Sequence, residues 1–155
     1  MSGLAHIFWW LAFTVAGLVL QMFLPRIDAL VAGVIVLLQE RLYKSMLWIL
    51  PLFILLQEGL GTRTFGGSIL WYVVICVLFL VGERFFNSKT FLFVFFLSAA
   101  VGAAYYGLNM LLAPLQNLEI QSQDLLDSSI VQTAVVICTW VITKRLRPGI
   151  EEEEE

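Results

Sequence analysis

The chain has 155 residues, of which 60% are hydrophobic and 14% charged, and its mean hydropathy is +0.89. These values lie outside the range of soluble domains and predict a single-domain, all-α integral membrane protein. The net charge is −3, but five of the twelve acidic residues form the terminal run of residues 151–155, and no basic patch suited to nucleic acid is present.

The first apolar run, residues 7–24, is long enough to cross a membrane as a helix of about 27 Å. The N-terminus lacks a basic n-region followed by a cleavage site, so we interpret this run as a retained helix and not as a signal peptide. Within it, Ala12 and Ala16 have the spacing of small residues that lets another helix pack closely. A short turn at residues 25–28 is expected next.

The next two apolar runs, residues 27–38 and 45–56, have only twelve residues each. A helix of that length rises about 18 Å, which is less than the roughly 30 Å of a hydrocarbon core. Two short helices, extended at their ends by snorkelling Arg41 and Lys44, are one solution. A re-entrant hairpin covered by protein is the other.

Residues 57–67 form a polar, glycine-rich stretch between two uncharged apolar runs. Glycine disfavours a helix and permits tight turns, which predicts a structural role for Gly61 and Gly66. One interpretation is a plain connecting loop. The other is a turn that dips into the membrane face, with Glu58 and Arg63 neutralising each other.

The uncharged apolar run at residues 68–82 predicts a further helix, and the run at residues 91–115 predicts the longest span. Two adjacent rows of small residues lie at four-residue spacing in that span: Ala99, Ala103 and Gly107 in one, Ser98 and Gly102 in the other. Such rows are typical of helix–helix contacts in membranes. Asn109, near the far end, is expected to form an interhelical hydrogen bond in preference to a ligand contact.

Residues 116–129 are polar and acidic and predict a loop, and residues 130–143 predict the last span. The expected organisation is a membrane domain at 1–147 and a disordered acidic tail at 148–155, because a run of like charges repels itself. About six transmembrane helices result, two of them short.

The distribution of basic residues predicts the orientation. With six spans, one side holds seven basic residues and the other holds only Arg26 and Arg63. The seven are Arg41, Lys44, Arg84, Lys89, Lys144, Arg145 and Arg147. The positive-inside rule therefore places both termini in the cytoplasm.

The sequence predicts no catalytic residues, no metal site and no cofactor. The only histidine, His6, precedes the first span, and no nucleophile–base set or phosphate-binding loop is present. Cys76 and Cys138 lie in apolar runs without metal-ligand spacing. An interaction protein that contacts membrane lipid, and not an enzyme, is the expectation.

Residues 55–70, together with the end of the first span at residues 20–25, resemble segments of the MreD family of bacterial inner-membrane proteins. In that family an apolar helix reaches an acidic residue and a glycine-containing turn precedes the next helix. The family more usually has Asp at the position of Glu58, and the glutamate run is not a family feature.

This resemblance implies a non-enzymatic scaffold of the rod-shape, or cell-elongation, machinery of peptidoglycan synthesis, located in the inner membrane. The implied partners are MreC and the RodA-type polymerase with its penicillin-binding transpeptidase. It also implies a fold similar to the substrate-binding subunits of energy-coupling-factor transporters, so a vitamin-binding membrane subunit is the alternative function. Few polar groups near the outer side, namely Gln57, Arg63 and Asn109, argue against that alternative.

Overall fold

The computed structural model describes residues 3–24, 27–60, 66–115, 117, 119 and 121–146. Within these ranges the regular secondary structure is entirely helical, as the composition predicts. The six helices are α1 (Gly3–Phe23), α2 (Val31–Gln39), α3 (Tyr43–Gly59), α4 (Gly67–Glu83), α5 (Phe91–Leu115) and α6 (Ser122–Leu146). The expected acidic tail at 148–155 lies outside the described residues.

Three of the helices, α1, α5 and α6, are long and apolar enough to cross a membrane. At 21, 25 and 25 residues they measure about 32 to 38 Å. Helix α4 is a shorter apolar helix of 17 residues, about 25 Å long. Many large apolar side chains on these helices point away from the rest of the chain, as the faces of membrane helices do.

Helix α2 is the centre of the bundle. All nine of its residues are buried, and it packs against α3, α4 and α6. Helix α1 covers it on a further side, where Gly17 of α1 meets Leu30 and Gly33 of α2 meets Phe13. A helix that is apolar on every side is suited to such an enclosed position.

The two short apolar runs form helices of unequal length, whereas the sequence predicts two similar ones. Helix α2 is about 14 Å long and does not reach across a hydrocarbon core, while α3 extends to 17 residues, about 25 Å. A tight turn joins them, in which Arg41 adopts a left-handed conformation with a φ of 53°. Because α2 is enclosed by protein, its short length leaves no polar backbone group facing lipid.

Helix α6 begins at Ser122, so the predicted loop over residues 116–129 is wrong for its second half. Its buried residues recur at three- and four-residue intervals: Leu125, Ser129, Gln132, Val136, Trp140 and Thr143. The polar residues Ser129 and Gln132 on this buried face pack against the rest of the bundle. Hydropathy alone does not reveal that they are buried. Asp124 lies in the first turn, where the helix dipole favours a negative charge.

All six described lysines and arginines lie at one end of the bundle. Contacts that join the helix ends there include Arg41 with Glu83 at 3.5 Å and His6 Nε2 with Ser45 Oγ at 2.9 Å. The opposite end carries Asp28, Glu58 and the start of α6. Arg26, Arg63 and Arg147, the remaining basic residues of the predicted partition, lie outside the described residues.

Candidate functional site

Asp28 is only 1% exposed, and both oxygens of its carboxylate accept hydrogen bonds. Its Oδ1 accepts hydrogen bonds from Gln21 Nε2 at 3.2 Å, Gln57 Nε2 at 3.0 Å and the Leu30 backbone N–H at 2.9 Å. Its Oδ2 accepts one from Trp71 Nε1 at 3.0 Å. One carboxylate thereby joins α1, α3 and α4 to the turn before α2.

The backbone of Asp28 adds a fourth helix to this junction. Its N–H donates to Gln132 Oε1 at 2.8 Å, and its carbonyl accepts from Gln132 Nε2 at 3.1 Å. Gln132 belongs to α6 and is fully buried. The glutamine amide thus donates to and accepts from the backbone as a peptide group would.

This arrangement determines what the carboxylate can do chemically. Both oxygens accept hydrogen bonds, and bonds to a carboxylate are roughly twice as strong as bonds between neutral groups. A buried charge without such bonds would be strongly unfavourable. The geometry therefore suits Asp28 to positioning four helices around the start of α2.

Two buried acceptors at this end have no hydrogen-bond partner within the described chain. They are Gln21 Oε1 and Ser68 Oγ. Gln21 directs its amide nitrogen to Asp28, so its oxygen must point elsewhere. Ser68 precedes Trp71 by one turn of α4 and is fully buried. Because buried polar atoms are nearly always paired, these two mark the place where this cluster could accept a ligand.

A second buried junction fixes the other end of α2. Trp140 Nε1 of α6 donates to Gln39 Oε1 at 2.8 Å, and the amide of Gln39 donates to the Ser88 carbonyl in the α4–α5 turn. The ring of Phe91 lies against that of Trp140, with centroids 6.4 Å apart. The central helix is thus held by polar contacts at both ends and by apolar packing between them.

The predicted pair in the glycine-rich stretch is described only in part. Glu58 is half-buried at the end of α3, and its Oε1 accepts a hydrogen bond from the Gly66 N–H at 2.8 Å. Gly66 has a φ of +82°, which side-chain-bearing residues rarely adopt. Gly61 and Arg63 lie outside the described residues, so the pairing of Glu58 with Arg63 stays a prediction.

The small residues of α1 divide between two faces. Gly17 is buried, and a Cβ atom there would lie 2.6 Å from Leu30 Cδ2. Ala12 and Ala16 are exposed and face away from the rest of the described chain. The close approach of α1 to the bundle therefore uses Gly17, and the alanine pair is left for contacts outside the chain.

The two rows of small residues on α5 also lie on different faces, one packed within the chain and one exposed. A Cβ atom on Gly102 would overlap Thr133 Oγ1 and lie 3.0 Å from the Ser129 carbonyl oxygen, so this row packs against α6. Ala99 and Ala103 are exposed, and a Cβ atom on Gly107 would contact nothing within 4 Å.

Beside this exposed row, a groove of about 350 Å³ runs between α5 and α6. It is lined by Gly102, Ala103, Tyr106, Leu126, Ser129, Ile130 and Thr133.

Asn109 forms a different contact from the one expected. Its Nδ2 donates to the Tyr105 carbonyl at 2.7 Å, one turn earlier in the same helix. This bond lies within α5 and is not the predicted interhelical one, because the backbone carbonyl of its own helix is within reach. Asn109 is half-buried near the end of α5.

The residues that sequence reasoning missed are Asp28, Gln21 and Gln132. Asp28 was expected to be a turn residue, and the glutamines lie within runs interpreted as spans. A signal was present, because glutamines at positions 21, 57 and 132 are rare polar residues in apolar helices. Only their convergence on one aspartate reveals the cluster: Gln21 and Gln57 donate to its carboxylate, and Gln132, 104 residues away, bonds to its backbone.

Within the described ranges, no group of three or more His, Cys, Asp or Glu residues is placed to hold a metal ion. Comparisons of the chain with protein-family models, with curated proteins and with solved structures find no match.

Proposed function

We propose that the chain is a non-enzymatic membrane scaffold of the bacterial cell-elongation complex. In this proposal it lies in the inner membrane with six spans and both termini in the cytoplasm. Its partners are MreC-like and RodA-like proteins and a penicillin-binding transpeptidase. The proposal rests on the MreD-like segment at residues 55–70 together with the surfaces described above.

The distribution of charge supports the orientation. The six described basic residues share one end, and the other end presents Glu58, Glu119 and Asp124. An excess of Lys and Arg favours the cytoplasmic side. In this orientation α2 is too short to cross the membrane alone. It spans the membrane only together with the turns at its two ends, and the other helices enclose it.

The observation that carries the scaffold function is the division of small residues on α5. One row, with Gly102, is used against α6, while Ala99 and Ala103 are left exposed on the neighbouring face. Small residues let the backbones of two membrane helices approach closely, and exposed ones favour a helix from another chain. The exposed pair Ala12 and Ala16 offers a second such surface on α1.

The hydrogen bonds of the interior polar groups also support a scaffold function. The carboxylate of Asp28 and the amides of Gln39, Gln57 and Gln132 form hydrogen bonds within the chain. Their role in the bundle is structural, which leaves the outward faces as the surface for function.

Co-purification tests this proposal. The tagged full-length chain is co-expressed with an MreC-like protein and a RodA-like polymerase, and the membranes are solubilised in a mild detergent. We expect both proteins to elute with the tagged chain, and an unrelated polytopic membrane protein not to do so. Equal recovery of the unrelated protein, or recovery of neither partner, would contradict the proposal.

A vitamin-binding transporter subunit is the second candidate, and one observation favours it. The polar groups at the Asp28 end are more numerous than the sequence suggested, and Gln21 Oε1 and Ser68 Oγ are buried without a partner in the described chain. Calorimetric titration of the purified protein with a panel of vitamins separates the two functions. A scaffold gives no binding heat, whereas a substrate subunit gives saturable heat with one vitamin.

A further inference from the structure

We infer that the turn between α4 and α5 binds the headgroup of an anionic phospholipid. The turn runs through Arg84, Phe85, Phe86, Asn87, Ser88, Lys89 and Thr90 to the first residue of α5, Phe91. It combines two exposed cations with exposed aromatic rings within eight residues. This inference does not depend on the proposed scaffold function.

The two cations of the turn are available to a ligand. Arg84 and Lys89 are both exposed, and no ion pair involves them among the described residues. The neighbouring acid, Glu83, lies 3.5 Å from Arg41 and is thereby partly neutralised. Positive charge at this point is left to attract a phosphate group.

The aromatic rings of the turn are placed for the membrane boundary. Phe85 is 76% exposed and Phe91 55% exposed, and Phe86 stacks on Phe96 of α5 with ring centroids 5.3 Å apart. Apolar rings next to cations are typical of segments that insert at the boundary between headgroups and acyl chains. A soluble anion would gain nothing from these rings, so the pattern favours a lipid over a free phosphate.

The backbone of the turn is fixed before any ligand arrives. Asn87 accepts hydrogen bonds from the Lys89 N–H at 3.2 Å and from Thr90 Oγ1 at 2.7 Å. The Ser88 carbonyl accepts from the buried amide of Gln39. A turn that is already ordered loses less conformational entropy when it binds a ligand.

Native mass spectrometry of the full-length chain in detergent, titrated with dioleoylphosphatidylglycerol, tests this inference. Each of Arg84→Gln and Lys89→Gln should weaken lipid binding about fivefold, since a basic residue near an anionic surface contributes about 1 kcal/mol. Lys44→Gln is the matched control, because it removes an exposed cation at the same end but outside the turn. It should change the affinity less than twofold. The full chain is used because the acidic residues 151–155 follow α6, whose last turn carries Lys144 and Arg145 at the same end of the bundle as the α4–α5 turn.

Three results would overturn the inference. Wild-type affinity in the double variant Arg84→Gln/Lys89→Gln would remove the site. An equal loss in Lys44→Gln would replace it with a diffuse charge effect. Displacement of the lipid by millimolar inorganic phosphate would make it a free-anion site. Thermal unfolding of each variant in the same detergent confirms that a lost affinity does not reflect a lost fold.

Discussion

Asp28 and Gln132 are 104 positions apart in the sequence and exchange two hydrogen bonds, from the Asp28 N–H to Gln132 Oε1 and from Gln132 Nε2 to the Asp28 carbonyl. The pair connects the turn before the central helix to the last helix of the chain. It also brings the Asp28 carboxylate to the point where α1, α3 and α4 can donate to it. This pair therefore has consequences for stability that can be measured.

Replacing Gln132 by Leu should destabilise the fold by about 2–4 kcal/mol, because it removes both hydrogen bonds that the glutamine amide forms with the buried backbone of Asp28. Unfolding in mixed micelles by titration with SDS measures the change. Gln123→Leu is the matched control on the same helix, since Gln123 is exposed and should tolerate the change. Equal midpoints for both variants would show that the exchange of hydrogen bonds contributes nothing to stability.

Asp28→Asn should also destabilise the fold, although it preserves the shape of the side chain. The change removes the negative charge that strengthens four hydrogen bonds and directs an NH₂ group toward other donors, at a cost of about 2 kcal/mol or more. The same unfolding titration on Asp127→Asn, an exposed acid of α6, serves as the comparison. If Asp28→Asn were as stable as Asp127→Asn, the carboxylate would not be the organising group.

The two small rows of α5 predict opposite outcomes for similar changes. Gly102→Ala should lower the stability, because its Cβ atom would overlap Thr133 Oγ1 and meet the Ser129 carbonyl oxygen at 3.0 Å. Gly107→Ala should be neutral or slightly stabilising, since its Cβ atom would contact nothing and alanine favours a helix by about 1 kcal/mol. Thermal unfolding in detergent compares them. A stable Gly102→Ala protein would show that α5 and α6 are not in close contact.

The proposed orientation predicts which ends of the helices a reagent can reach in intact cells. In a variant that lacks Cys76 and Cys138, a cysteine at position 127 should react with a membrane-impermeant maleimide. A cysteine at position 89 should react only after the membrane is opened. Both positions are exposed in the fold, so a difference between them reports the side of the membrane. The reverse pattern would invert the topology.

The long apolar helices were predictable because their residues are apolar throughout, so hydropathy alone marks them. Helix α5 has the predicted bounds Phe91–Leu115, and α4 differs from its predicted range by one residue at each end. The start of α6 was not predictable in this way. Residues 122–129 are polar, yet they are helical because Leu125 and Ser129 continue the buried face of the last span.

The buried junctions could not be derived from local patterns. A turn aspartate in a sequence is usually exposed, and nothing near Asp28 indicates that Gln57, Trp71 and Gln132 will surround it. The rows of small residues on α5 were recognised from the sequence. Whether the row of Gly102 or the row of Ala103 packs within the chain depends on which face of α5 meets α6. Both outcomes depend on long-range packing.

In the proposed scaffold, the exposed small residues of α5 bind a helix of a partner. The most direct measurement is capture of the co-expressed MreC-like and RodA-like proteins by the Ala103→Leu variant, alongside its unfolding midpoint. We expect a midpoint close to that of the wild type and a large loss of captured partner, because the leucine would fill part of the open groove between α5 and α6 and block the close approach of another helix. Val77→Phe, an exposed change on α4, should capture both partners normally. Undiminished capture by Ala103→Leu would contradict the claim.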